Sequence, residues 1–243
     1  MNPPFFSIII VSLNAESVID TTLASALAQS CGDFEIIVKD GGSTDGTLEH
    51  IPEDGRIRVH RESDRSVYDA MNQALSHANG EFLIFMNCGD TFATPEVLEK
   101  VKRFAEEGNQ PEPEIIYGNY YKDATLFRQN SRVDRKYFLK EGFCHQSVFF
   151  RRTLFEKYGH YDINFRICAD YEILTRCFVR GAVFRYIDLP VCRYQGGGIS
   201  ERQENLDRVR REGNRVRKRY FSRMECILYR VEKICRRLTR HLQ

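Results

Sequence analysis

Two aspartates stand just past two strongly apolar runs in the N-terminal half of the chain. Residues 34–38 lead into Asp40 and the sequence GGSTDGT, and residues 82–86 lead through the sequence NCG into Asp90. Such runs predict buried strands, and ligands of open α/β sheets bind outside the carboxyl ends of the strands. Two carboxylates at that edge suit a nucleotide diphosphate and a metal ion.

Strand and helix patterns alternate around these runs. The apolar run at residues 5–13 predicts a central parallel strand covered on both faces. Apolar residues at helical spacing predict helices at 16–30 and 67–75. The expected fold class is therefore α/β, with a mostly parallel sheet flanked by helices. The other predicted elements are a helix starting at 94–96, strands at 114–121 and 145–152, and helices at 152–159 and 169–181.

The chain of 243 residues fits one α/β domain with a full core. We predict a single domain at 1–200, with a nucleotide-binding half at 1–110 and an acceptor half at 111–200, followed by a basic helical tail at 201–243. The tail carries 14 Lys and Arg against 6 Asp and Glu, a net charge of +8, whereas the rest carries 22 against 28, a net charge of −6. An acidic body without a clustered basic and aromatic face disfavours nucleic acid as a partner.

The eight cysteines form no CxxC pair, which disfavours a zinc ribbon or a thioredoxin motif and indicates reduced thiols. The N-terminal sequence MNPPFFSIIIVSL has no basic segment or cleavage site typical of a signal peptide, and its apolar run is too short to cross a bilayer. We therefore expect a cytoplasmic protein, with the inner face of the cell membrane as a further location.

Several short motifs occur in the order found in family 2 glycosyltransferases. They are SLN at 12–14, DGGSTDGT at 40–47, YDAMN at 68–72, NCGD at 87–90, CHQSVFF at 144–150 and ADYEILTR at 169–176. Over residues 5–200 the chain resembles the bacterial branch of this family that builds exopolysaccharide, capsule and O-antigen repeats, including the colanic acid transferases. The resemblance implies a GT-A (Rossmann-like) fold and an inverting, metal-dependent hexosyltransferase that uses a nucleotide-diphospho-sugar.

The resemblance also implies which residues bind the donor. These are Ser12, Asn14, Asp40, Asp64, Arg65, Asp69, Asn87 and Asp90. Near Asp64 the chain departs from the family pattern, because Ser63 and Ser66 replace a proline and a glycine. Two plainer interpretations stay open: Asp40 as a turn-forming residue before two glycines, and Asp69 as part of the polar face of a capped helix.

Asp90 is the predicted metal ligand, for Mg²⁺ or Mn²⁺. Both are hard cations that prefer oxygen ligands, and Mg²⁺ is often held by one or two carboxylates, with phosphates and water completing its shell. The ion would neutralise charge on the leaving nucleotide diphosphate. The alternative is a solvated aspartate that caps the following helix.

Asp170 is the predicted general base, which takes the proton of the attacking acceptor hydroxyl. Glu172 is its rival, and on a helix the two side chains point about 200° apart, so that one alone can face the site. The alternative is a pair of acids that complement the helix dipole. By resemblance His145 and Gln146 lie on the acceptor or pyrophosphate side, although a lone histidine is more often structural.

The tail repeats apolar residues at heptad-like spacing, with arginines on its other faces. The repeated residues are Met224, Leu228, Val231, Cys235 and Leu238. A basic amphipathic helix is typical of peripheral membrane contact or partner binding. A homodimer through the tail and packing of the tail on its own domain are the alternatives.

The sequence thus predicts transfer of a sugar, most simply from a UDP-sugar, to a lipid-linked glycolipid or polysaccharide acceptor in bacterial cell-surface polysaccharide biosynthesis. A nucleotide-sugar-binding protein with little turnover is the first alternative, because the NCGD motif retains a single carboxylate. A nucleic-acid-binding protein acting through the basic tail is the second.

Overall fold

The computed structural model describes residues 3–108, 111–140 and 142–240, and these residues fold around one sheet. Its first four strands run parallel: β1 (Phe6–Ser12), β2 (Phe34–Asp40), β3 (Ile57–Arg61) and β4 (Phe82–Asn87). Every residue of β2 is buried, as expected of a strand covered on both faces.

The order of these strands is β3-β2-β1-β4. The chain therefore moves outward from β1 to β2 and β3, then crosses to the other side of β1 to form β4. Such a reversal leaves a crevice outside the carboxyl ends of β1 and β4. Ser12 and Asn87 are the last residues of these two strands.

The remaining strands extend the sheet beyond β4. They are β5 (Thr91–Phe92), β6 (Ile115–Lys122), β7 (Thr125–Phe127), β8 (Val148–Arg151) and β9 (Phe184–Tyr194). The order continues β8-β6-β9-β5, with β7 paired to β6. Because β8 is antiparallel to both β4 and β6, and β9 is parallel to β6, the strands β6 and β9 run in the direction of β4. The sheet is therefore mostly parallel, as predicted.

Helices cover both faces of the sheet and form two cores. One face carries α1 (Ile19–Leu27) and α3 (Val97–Glu106), and the other carries α2 (Val67–Leu75), α4 (Arg135–Lys140), α5 (Thr153–Tyr158) and α6 (Ala169–Val179). The first core lies under α1 and α3, and the second core lies on the other face of the sheet. Along β1, Ile8 and Ile10 point into the first core and Ile9 points into the second. This alternation follows from the two-residue period of a strand.

Two further helices follow, α7 (Leu206–Tyr220) and α8 (Arg223–Arg240). Val216 on α7 and Phe221 just after it are buried in the second core, where α7 packs against α6. The start of the predicted tail is thus continuous with the core, while the domain boundary at residue 200 stays a prediction. Within the described ranges, none of the helices is long and apolar enough to cross a membrane.

Three local predictions need correction. The strand expected at 145–152 is a 3₁₀ turn at His145–Ser147 followed by β8, because the Ser147 N–H bonds back to the Cys144 carbonyl. The helix expected from 94–96 begins at Val97. The uninterrupted tail helix is in fact two helices that break at the buried, extended Phe221.

The second tail helix starts with a capping box, in which each of two residues caps the backbone of the other. Ser222 Oγ accepts a hydrogen bond from the Glu225 N–H at 3.2 Å, and Glu225 accepts one from the Ser222 N–H at 2.8 Å. The sequence Ser-x-x-Glu carries this signal, so the break was readable from the sequence. Leu238, a member of the predicted apolar repeat, lies outside the described side chains.

Candidate active site

Asp40, at the end of β2, is fully buried and holds the following turn together. One carboxylate oxygen accepts from the N–H groups of Gly42 and Ser43 at 2.9 and 2.8 Å, and the other accepts from the hydroxyls of Ser43 and Ser12 at 2.5 and 3.2 Å. Burial alone would raise the pKa of Asp40, but these hydrogen bonds outweigh it and lower the pKa. The contacts are those of a turn-forming aspartate, and binding of the donor by Asp40 stays a prediction.

Asn14 ties the end of β1 to the same turn. Its backbone has a φ of +50°, a conformation that asparagine tolerates better than most residues. Its amide oxygen accepts from the Thr44 N–H at 2.9 Å, and its own N–H donates to the Ser43 hydroxyl at 2.9 Å. Asn14 and Ser12 therefore shape the rim of the crevice, and their contact with a donor stays a prediction.

A buried lysine that the sequence analysis missed holds Asp64 in place. Lys39 is fully buried, and its ammonium donates to Asp64 Oδ2 at 2.9 Å and to the Glu62 carbonyl at 2.7 Å. Gly41 makes room for this pair, because a Cβ there would lie 2.7 Å from Asp64 Oδ2. The signal was a lysine inside an apolar run, since buried charges are paired.

Arg65 and Asp69 pair with each other at the start of α2. The Arg65 N–H and side chain donate to Asp69 Oδ2 at 2.9 and 3.1 Å, and this hydrogen bonding lowers the pKa of Asp69. Ser66 caps the helix by accepting from the Asp69 N–H at 3.3 Å. These contacts describe a capped helix, and the donor-facing role of both residues stays a prediction.

Asp170, at the start of α6, lines a cavity beside Tyr68. The Tyr68 hydroxyl lies 3.1 Å from Asp170 Oδ1 and donates to the Ile167 carbonyl at 2.7 Å. The Tyr171 N–H donates to the same Asp170 oxygen at 2.8 Å. Burial raises the pKa of Asp170 to about 6. The structure therefore brings the YDAMN and ADYEILTR motifs, which are far apart in the chain, together at the Asp170 carboxylate.

The cavity measures about 650 Å³ and opens at the carboxyl ends of β1 and β4. It lies at the crevice that the strand order creates, and it is large enough for a small-molecule ligand. Its lining includes residues from several of the motifs and from the segments beside them: Val11, Tyr68, Asn87, Cys88, His145, Gln146, Asp170 and Gly196–Gly198. Of the predicted donor residues, Asn87 lines it directly.

Asp90 lies next to this cavity and is only 3% exposed. Its two oxygens accept from the Gln146 amide at 2.7 Å and from the Gln195 N–H at 2.8 Å. Burial raises the pKa of Asp90 to about 6. Among the described residues no Lys or Arg forms an ion pair with it, so Asp90 is a buried carboxylate that lacks a cation.

This environment fits a hard divalent cation held by one carboxylate. Each Asp90 oxygen accepts one hydrogen bond and retains a lone pair for a metal. The Cys88 thiol is a poor ligand, because burial raises its pKa to about 12. Among the described residues, one group of three His, Cys, Asp or Glu side chains lies close enough together to share a metal ion. It consists of His60, Glu62 and His77, at the edge strand β3.

His145 and Glu172 are both held by buried hydrogen bonds, and their role on the acceptor side stays a prediction. His145 Nε2 lies 2.7 Å from the Tyr161 hydroxyl, and burial lowers the pKa of the imidazole to about 4, so the ring is neutral at pH 7. Glu172 is 1% exposed and pairs with Arg176 at 2.9 Å and with the Tyr220 hydroxyl. It therefore faces α7, whereas Asp170, two residues before it, faces the cavity.

Glu212 on α7 supports the start of α6 and was also missed. Its carboxylate accepts from three consecutive N–H groups, those of residues 166, 167 and 168, at 3.0, 2.9 and 3.0 Å. These groups directly precede α6, whose first N–H groups have no partner within the helix. A residue of the predicted tail thus fixes the segment that presents Asp170.

The fold, a mostly parallel sheet flanked by helices, is that of the GT-A class of glycosyltransferases. The model of "Glycosyl transferase family 2" matches residues 7–168, and the chain belongs to this family. A "PGL/p-HBAD biosynthesis glycosyltransferase" from Mycobacterium tuberculosis is 38% identical over 208 residues, which cover 82% of this chain and 80% of the relative. An uncharacterised glycosyltransferase of that species is 34% identical over 180 residues, covering 71% and 68%.

Solved structures share the fold at lower identity. Staphylococcus aureus TarS 1–349 in complex with UDP-GlcNAc superimposes with a TM-score of 0.66 at 17% identity, covering 82% of this chain and 59% of that one. The mannosyltransferase PcManGT from Pyrobaculum calidifontis, in complex with GDP-Man and Mn²⁺, gives a TM-score of 0.62 at 20% identity, covering 87% and 61%. The chain thus spans about three fifths of these solved chains, and the likeness shows the GT-A fold.

Proposed function

We propose that the protein is an inverting, divalent-metal-dependent glycosyltransferase that moves a sugar from a UDP-sugar to a lipid-linked or polysaccharide acceptor. The position of Asp170 carries the proposal. Its carboxylate lines the cavity at the crevice, held by Tyr68. A base whose pKa lies near 6 is still mostly ionised at neutral pH and accepts a proton more readily than an ordinary aspartate.

In this proposal Asp170 accepts the proton of the acceptor hydroxyl as that oxygen forms a bond to the anomeric carbon. The bond from the anomeric carbon to the nucleotide diphosphate breaks on the opposite face, which inverts the configuration. Tyr68 and the Tyr171 N–H both contact Asp170 Oδ1, so they orient the carboxylate towards the cavity. Glu212 keeps the preceding segment in place.

Asp90 would hold Mg²⁺ or Mn²⁺, with Asn87 and the diphosphate nearby. The buried carboxylate without a paired cation supports this assignment, as does the Mn²⁺ in the related mannosyltransferase. A bound ion would supply positive charge for the departing diphosphate. The UDP-GlcNAc in TarS supports a UDP-sugar donor, and the motif resemblance supports an acceptor of capsule or O-antigen type at the inner face of the cell membrane.

A panel of nucleotide sugars tests the proposal. We expect thermal stabilisation by one nucleotide class in the presence of Mn²⁺, and release of the nucleoside diphosphate when an acceptor is added. A ligand at about 100 times its Kd raises the free energy of unfolding by about 2.7 kcal/mol. Stabilisation without any transfer to any acceptor would favour a nucleotide-sugar-binding protein and overturn the enzymatic proposal.

A further inference from the structure

The side of α8 that faces solvent is apolar. Its exposed side chains are Met224, Ile227, Leu228, Val231 and Ile234, with exposed fractions of 64, 44, 60, 52 and 58%. Because a helix advances about 100° per residue, these side chains form one stripe along the helix. Scattered exposed apolar residues are normal on a protein surface, but a continuous patch marks an interaction site.

The opposite side of α8 already has a partner in the body of the protein. Cys226 and Tyr229 pack against the second core. Arg135 on α4 donates two hydrogen bonds to Glu225, at 2.7 and 3.0 Å. The orientation of α8 is therefore set, and the apolar stripe is the side that points away from the body.

The charges beside the stripe are basic. Both acids of α8 are engaged by cations of α4, since Arg135 pairs with Glu225 and Lys140 pairs with Glu232. Their charge is therefore offset locally. The exposed basic side chains beside the stripe are those of Arg223 and Arg230, whereas Lys233 lies over the ring of Tyr229, on the side away from the stripe.

We propose that α8 docks the protein on an anionic lipid bilayer, lying in the plane of the interface. The stripe would enter the acyl boundary and the basic residues would meet the headgroups. A second copy is a poorer occupant, because pairing two stripes would place the basic residues that border each of them along the same seam, without acidic partners. No helix of the described part can cross the bilayer, which leaves contact along its surface.

The docking proposal rests on the proposed function, because docking would bring the enzyme to the surface at which a lipid-linked acceptor is presented. The binding itself is measured without any sugar transfer. A protein that docks but transfers no sugar would leave docking in place and overturn the proposed function. Transfer to a soluble acceptor by a protein that never docks would do the reverse.

Flotation with phosphatidylglycerol-containing vesicles tests docking, with phosphatidylcholine vesicles as the uncharged comparison. The full chain should float with the anionic vesicles. The variant Leu228→Gln/Val231→Gln should lower the partition coefficient at least about tenfold. The variant Arg223→Gln/Arg230→Gln should lower it about 25-fold, because each basic residue near the surface contributes a factor of about five.

The matched control removes the same charge elsewhere. Lys100→Gln/Arg103→Gln on α3 should leave the partition coefficient within about twofold of that of the full chain, because screening weakens distant charges. A full chain that stays unbound, or a Leu228→Gln/Val231→Gln variant that floats equally well, would overturn the proposal. A dimer in solution that this variant dissociates would identify a second copy as the occupant and would overturn it too.

Discussion

Replacing Asp170 with asparagine should slow transfer strongly and stabilise the fold at the same time. Asparagine is nearly isosteric, and its amide oxygen can still accept the hydrogen bond of the Tyr171 N–H and lie beside the Tyr68 hydroxyl. It cannot take a proton from the acceptor, so turnover should fall by about 10² to 10⁴, the usual range for a general base.

The gain in stability follows from the pKa of Asp170, which burial raises from 3.8 to about 6. A carboxyl with a raised pKa is harder to ionise in the folded state, and one pH unit corresponds to about 1.4 kcal/mol. At pH 7 its ionisation therefore lowers the free energy of unfolding by up to roughly 3 kcal/mol. This penalty is fully present above the folded pKa, shrinks as the pH falls from about 6 towards 3.8, and is absent below that.

The Asp170→Asn protein should therefore be more stable than the natural chain at pH 7 and no more stable below pH 3.8. Glu172→Gln is the matched control on the same helix, and it should show the opposite pattern. Weakening the buried pair with Arg176 costs up to about 3–5 kcal/mol, whereas the folded fraction should keep its activity because Glu172 faces α7.

Urea denaturation at several pH values and initial rates of transfer measure both effects. The pH profile of kcat/KM should fall below about pH 6, because the base must be ionised to act. An active Asp170→Asn enzyme beside a folded but inactive Glu172→Gln enzyme would show that the reasoning has chosen the wrong carboxylate.

Three further perturbations test other parts of the site. Asp90→Asn should remove the Mn²⁺-dependent part of the stabilisation by UDP, worth up to about 2.7 kcal/mol at 100 times Kd, and equal UDP affinity in EDTA and in Mn²⁺ would contradict a metal at this residue. Glu212→Gln should cost about 1–3 kcal/mol and speed amide exchange at the segment before α6, and unchanged exchange there would argue against its supporting role. Gly41→Ala should displace Asp64 and weaken donor binding about tenfold. Gly42→Ala is strained but has open space around its Cβ, so it should lower stability and leave the Kd for the donor unchanged. Calorimetric titration with UDP separates the two variants.

The sequence was sufficient for elements whose burial is continuous along the chain. The apolar run at 34–38 predicted a buried strand, and β2 (Phe34–Asp40) contains that run, with every residue in it buried. The strand order, in which the chain passes from β3 to β4 on the far side of β1, cannot be predicted from periodicity. The position of the crevice could be predicted, because the motifs follow the ends of the apolar runs. Asp170 and Glu172 were correctly expected to point in different directions, since that follows from the helical repeat alone.

Long-range contacts of single side chains were beyond the sequence. Glu212 supports α6 from more than forty residues away, and nothing in its local pattern distinguishes it from a solvated acid of a charged helix. The pairing of Lys39 with Asp64 depends on how β2 packs against the loop after β3. The break at Phe221 was different, because the Ser-x-x-Glu signal was present and was passed over for the stronger heptad-like repeat.

Nuclear magnetic resonance of the reaction product tests the central claim most directly. The full chain is incubated with a UDP-sugar, Mn²⁺ and a lipid-linked acceptor, and the anomeric configuration of the new glycoside is compared with that of the donor. We predict that one nucleoside diphosphate is released for each glycoside formed, with inverted configuration, and that Asp170→Asn forms the glycoside about 10² to 10⁴ times more slowly. A donor that binds without being consumed, or a product with retained configuration, would contradict the account.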